Sequence, residues 1–136
     1  MGPTRVFSIV GWLLLPTVIF GGYSLLQLMV TQGALTPFQV TYFRAGHGHA
    51  GVLLLAALIY HTYLDKTTLS TGAKWVACTV FFISILAISG GFFLHMVVGG
   101  PEQASVGVTI TALGALVLTL DVLLLVYGLV RRPAEA

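Results

Sequence analysis

Four apolar runs, each long enough to cross a lipid bilayer, leave this chain few residues from which to build anything else. They extend over about Val6 to Val30, Gly46 to Tyr63, Trp75 to Val98 and Ser105 to Val130 in a sequence of 136 residues. A hydrocarbon core about 30 Å thick is crossed by roughly 20 helical residues. Charge reinforces the reading: 7% of the chain is charged, against about 25% in a soluble domain. So few charges cannot coat a water-facing surface, and lipid is the expected solvent. The expected fold is all-α, an integral membrane four-helix bundle forming one domain over residues 1–136.

The breaks between runs carry their own signals. Thr31 to Arg44, with Gln32, Gly33, Thr36, Pro37 and Gln39, reads as a longer polar loop. Asp65 to Lys74 is short, charged and rich in Thr, Ser and Gly, and Gly99-Gly100-Pro101-Glu102 reads as a tight turn, because Gly ends helices and Pro cannot continue one. Basic residues set the orientation. Arg5, Lys66, Lys74, Arg131 and Arg132 fall on one side of this topology and Arg44 alone on the other, so both termini are expected in the cytoplasm. The first run is too long for a signal peptide and no small-x-small cleavage site follows it, so it is expected to be retained, with a kink at Pro16.

Several function classes drop out early. A net charge of +2 without a basic tract gives no footprint for nucleic acid. Cys78, the single cysteine, excludes an intrachain disulfide and a thiolate cage within one chain, and inside an apolar run it reads as a small hydrophobe. Neither an activated nucleophile nor a phosphate loop is present.

Polar chemistry inside the spans is sparse, and an intramembrane ionisable residue is a functional hypothesis by default. The second run opens Phe43-Arg44-Ala45-Gly46-His47-Gly48-His49-Ala50-Gly51, and the third closes Ser89-Gly90-Gly91-Phe92-Phe93-Leu94-His95-Met96. In antiparallel neighbours, His47, His49 and His95 all fall near the outer face, with Gln27 and Met29 of the first helix at the same level. Gly46, Gly48, Ala50 and Gly51, facing Ser89, Gly90 and Gly91, would permit close helix approach. Two residues turn a helix by about 200°, so His47 and His49 diverge unless the glycine-rich start is not helical. Only one of the two can then face His95, and His47 is the expected inward residue: His61, 14 positions on, returns to within roughly 40° of its face about 21 Å along the axis. Gly51, Leu54 and Leu58 fill the stripe between them, and His49 is left for another helix, a second subunit or the interface.

Imidazoles of this set, with Met96 adjoining His95, offer axial ligands to a heme b. They also offer His47, His49 and His95 as ligands to a transition metal such as copper or zinc. Arg44, one turn before His47, would pair with a heme propionate or a lipid phosphate. In the inner half, His61 among Tyr60, Tyr63 and Asp65 reads as interfacial anchoring. Asp121, about 15 Å of helix from Arg131, needs a partner across a helix interface or has to be neutral, with His61 and Tyr60 nearest in depth. His61 and Asp121 are the residues of a proton path, if there is one.

Arg44-Ala45-Gly46-His47 resembles the Arg-x-x-His entry to the second helix of catalytic subunits in the heme-copper oxidase and nitric oxide reductase superfamily. The resemblance covers about one helix and implies a low-spin heme ligand at His47. The whole chain is also similar to small bacterial four-helix membrane proteins of unassigned function, which implies a bacterial plasma membrane location. The expected function is a heme- or metal-binding electron-transfer or redox-complex component working through the outer histidines; the alternative is a non-catalytic accessory or scaffold subunit of a larger membrane complex, and the third is a small proton or solute conductor. A homo-oligomer or larger assembly is expected in each case.

Overall fold

The computed structural model describes residues 1–31 and 35–131. Gln32 and Gly33 of the expected loop and Arg132 of the basic set lie outside the described residues. The chain folds into four helices, α1 (Pro3–Val30), α2 (Pro37–Asp65), α3 (Thr71–Val98) and α4 (Val106–Val130). α1 continues through Pro16 without a break in the helix.

The largest departure from expectation is the start of α2, at Pro37 rather than Gly46. Thr36 and Gln39, read from the sequence as loop residues, form a capping box. The Thr36 hydroxyl accepts from the Gln39 backbone N–H at 3.3 Å, and the Gln39 side chain accepts from the Thr36 N–H at 2.9 Å. Proline at the first position suits a helix start, where its missing N–H costs nothing. The glycine-rich segment is therefore regular helix, and His47 and His49 do diverge. At the other end of α2, Lys74 Nζ donates to the Asp65 carbonyl at 3.0 Å, placing a cation at the negative end of the helix dipole. Ser70 and Ser105 cap α3 and α4 in turn.

α2 and α3 form the central pair. α1 packs in the groove on one side of it and α4 in the groove on the other; α1 and α4 do not meet among the described residues. Burial follows this plan: 11% of the most apolar segment of α1 and 17% of that of α4 is buried, against 44% for α3. The core lies in the inner half, where Ala57, Tyr60 and Leu64 of α2 meet Ala77, Cys78, Phe81 and Ile85 of α3. Cys78 is fully buried, as a small hydrophobe should be. Three helices, α1, α3 and α4, are long and apolar enough to cross a membrane. α2 has the length, 29 residues, but also carries three of the four histidines.

The closest backbone approach is between α3 and α4, not α2 and α3. A Cβ on Gly91 would collide with Thr111 and the Gly107 carbonyl, and one on Gly107 with the backbone of Gly91 and His95. Gly48 and Gly90, by contrast, have open space around them, and Gly51 faces Val18 of α1. α2 and α3 are neighbours as expected, with Gly46 against Phe92 and Phe93, but the expectation looked for the closest approach at only one level of that pair and missed the α3–α4 seam. The buried residues of α4 are Gly107, Gly114, Asp121 and Gly128, a seven-residue repeat that keeps one face toward a neighbouring helix.

Candidate functional site

The three outer histidines occupy three different seams. His47 is half-buried and faces α1 rather than His95 as the sequence suggested; Gly21 and Gly22 make room for its ring, and a Cβ on Gly22 would stand 3.0 Å from Nε2. Gly51 follows against Val18, and Leu54 and Leu58 pack at Gly11, so the stripe from His47 to His61 lies along α1. The Gly21-Gly22 pair is the sequence signal for the His47 seat, legible only once α1 is known to pack there.

His49 is exposed on the outer face of α2 and stacks on Phe92 of α3 at 4.6 Å between ring centroids. Its Nδ1 lies 2.7 Å from the Ala45 carbonyl. A carbonyl can only accept, so Nδ1 carries the proton and Nε2 is the nitrogen available to another group. Arg44, Ala45, Gly48, His49 and Val52 line a shallow depression of about 320 Å³ there.

His95 is buried at the start of α4, with Nδ1 2.8 Å from the Ser105 hydroxyl and its ring edge-on to Tyr42 at 4.3 Å. Ser105 and Tyr42 carry no signal in the sequence, since each becomes a neighbour only through the α3–α4 turn or the early start of α2. Met96 is half-buried, Met29 is exposed, and exposed Gln27 donates to the Tyr23 hydroxyl at 3.0 Å. No group of three or more His, Cys, Asp or Glu among the described residues is placed to hold a metal ion. The three imidazoles, each in its own seam, form no such group among the described residues.

The inner residues are more deeply placed than interfacial anchoring requires. Tyr60 is 4% and His61 1% exposed, which corrects the expectation of an aromatic belt for these two; Tyr63, 47% exposed, fits it. His61 turns to α1, with Nδ1 3.2 Å from the Ser8 hydroxyl and its ring parallel to Phe82 at 6.0 Å. Below it, Thr4 donates to the Asp65 carboxylate at 2.7 Å. Thr4, Arg5, Ser8, His61, Thr62 and Asp65 line a small polar cleft of about 190 Å³ between α1 and α2. Tyr60 turns the other way and donates to the Asp121 backbone carbonyl at 3.3 Å. Asp121 is buried, and its Oδ2, like His61 Nε2, has no hydrogen-bond partner among the described residues. Tyr60 thus joins Asp121 to α2, as depth alone indicated, while His61 and Asp121 lie on opposite sides of that helix.

Comparison with known proteins adds no relative: no protein-family model, curated protein or solved structure matches the chain.

Proposed function

We propose that the chain is a four-pass membrane protein with both termini cytoplasmic, acting as a non-catalytic accessory subunit of a larger membrane assembly. The observation that carries this reading is the outward face of α2. His49 lies five residues along α2 from Arg44, about 7.5 Å farther along the helix, and it is exposed, with Nδ1 on the Ala45 carbonyl and no hydrogen bond at Nε2 among the described residues. Intramembrane polar side chains face a protein interior or a water-filled cavity rather than lipid. A second protein surface over Arg44, Gly48 and His49 would supply that interior. The distribution of basic residues supports the orientation, and the 29-residue length of α2 supports a fourth span despite its histidines. Purification from membranes in a mild detergent is expected to yield the chain in a stable complex, with copies of itself or with other subunits. Recovery of a monodisperse single chain would contradict the proposal.

A second reading, the heme-binding electron-transfer component, rests on the same residue. Nδ1–H donation to a backbone carbonyl is how a metal-ligating histidine is commonly oriented, and Arg44 stands beside it to meet a carboxylate. Since the three imidazoles sit in separate seams, the second axial ligand would come from a partner. An absorption spectrum with metal analysis of the purified assembly distinguishes the readings. A Soret band lost in His49→Ala and kept in His95→Ala supports the heme; its absence together with no stoichiometric iron, copper or zinc removes it.

A further inference from the structure

The outer half of the bundle contains a cleft that the accessory reading does not use. Two adjoining cavities, of about 360 and 210 Å³, share Tyr42, His95 and Val108 as walls. The larger runs between α3 and α4 over Gly91, Phe92, Thr111, Ala112 and Ala115, and the smaller opens at the α3–α4 turn beside Glu102 and Gln103. The larger volume lies within the range of small-molecule sites, about 300–1,000 Å³.

We propose that this cleft binds a neutral, ring-bearing lipophile of the quinone–quinol class, with its oxygen against His95 and its tail along Ala112 and Ala115.

Three features of the walls select that chemistry. The first is His95, only 4% exposed and tethered by Nδ1 to Ser105. Ser105 already accepts from the Gly107 N–H at 3.2 Å, and its hydroxyl can still donate to, or accept from, the ring. In one tautomer Nε2 donates to a quinone carbonyl; in the other it accepts from a quinol hydroxyl. An acyl chain offers the imidazole no hydrogen bond, whereas a quinone or quinol oxygen does. The second is charge: Glu102 stands at the mouth and no lysine or arginine lines either cavity, which disfavours an anionic headgroup. Glu102 is held there at φ 62°, a left-handed conformation that is strained for a non-glycine residue. The third is shape. Tyr42 and Phe92 stand 6.4 Å apart with ring planes 33° from parallel, and Thr111 spends its hydroxyl on the Ile88 carbonyl. The remaining wall is apolar, and Gly91 lets α3 and α4 close on its floor.

The inference does not rest on the accessory role, and its test does not require a partner. The intact chain in phosphatidylcholine nanodiscs, with ¹³C-labelled histidine, is titrated with a decyl-substituted benzoquinone. The expected result is saturable binding of one quinone per chain, with the His95 ring signals moving and those of His47, His49 and His61 staying in place. His95→Gln and the cavity-filling Ala112→Leu are each expected to weaken binding about tenfold or more, a loss readily measured as Kd. Ala112 is exposed on α4, so that variant decides the matter even if His95→Gln does not fold. Gly72→Ala, at the first turn of α3 where an added Cβ meets open space, should bind as the parent does. Uptake that rises linearly with concentration, or saturable binding unmoved by both variants, would overturn the proposal. So would equal displacement of the His95 signals by phosphatidylglycerol, which would make the cleft a lipid groove.

Discussion

Tyr60 gives its hydroxyl to the backbone of α4 while His61, the next residue, sits against Ser8 of α1. One residue turns a helix by about 100°, which is enough to commit neighbours to different seams. The Tyr60 bond reaches the Asp121 backbone carbonyl. Tyr60→Phe is therefore expected to cost about 0.5–1.5 kcal/mol, the net worth of a buried hydrogen bond, whereas Asp121→Asn keeps the acceptor and should leave that bond intact. Denaturant unfolding of the detergent-solubilised protein measures both. At this scale the sequence is legible where a helical period governs. The 14-residue interval from His47 to His61 does turn both toward α1, with Leu54 and Leu58 between them. It is not legible where a turn governs. His95 meets Ser105 only because the Gly99–Gln103 turn folds α4 back on α3, and no helical spacing encodes that pair.

Elements were readable in existence and poorly readable at their ends. All four helices fall on the four apolar runs, yet α2 gains its first turns from a polar stretch, because Thr36-Pro37-Phe38-Gln39 is a capping signal as well as a loop signal. That change matters, since it puts Tyr42 on the helix and against His95. The α3–α4 seam was the element-level surprise. Its pattern, Gly107, Gly114, Asp121 and Gly128 at intervals of seven, is present in the sequence, but an intervening seven-residue interval filled by aspartate disguises it. Small residues at a lipid-embedded seam admit close backbone packing, so a methyl group there has nowhere to go. Gly107→Ala and Gly114→Ala are each expected to destabilise the fold by about 1–3 kcal/mol, the range for overpacking. Gly90→Ala, whose added Cβ meets open space, should leave stability unchanged or raise it. Thermal unfolding of the three variants in one detergent separates the seam from its surroundings.

Across the whole molecule, the tight core and a small polar cleft share the half that holds the α2–α3 turn, the larger clefts lie toward the middle and the other end, and α1 and α4 expose most of their apolar residues. Buried Cys78 is the only native thiol, so introduced cysteines can report sidedness cleanly. A membrane-impermeant maleimide applied to intact cells should label Gln103→Cys, on the α3–α4 turn, and reach Lys66→Cys, on the α2–α3 turn, only after permeabilisation. The reverse pattern would invert the topology. The central claim concerns the covered face of α2, and a photo-crosslinking residue in place of Gly48, where open space admits it, tests it most directly. Illuminated in native membranes, it should give a discrete protein adduct, to a second copy or to another subunit, that is lost when the crosslinker is moved to Leu116 on the exposed face of α4. Adducts to lipid alone at position 48 would contradict the account.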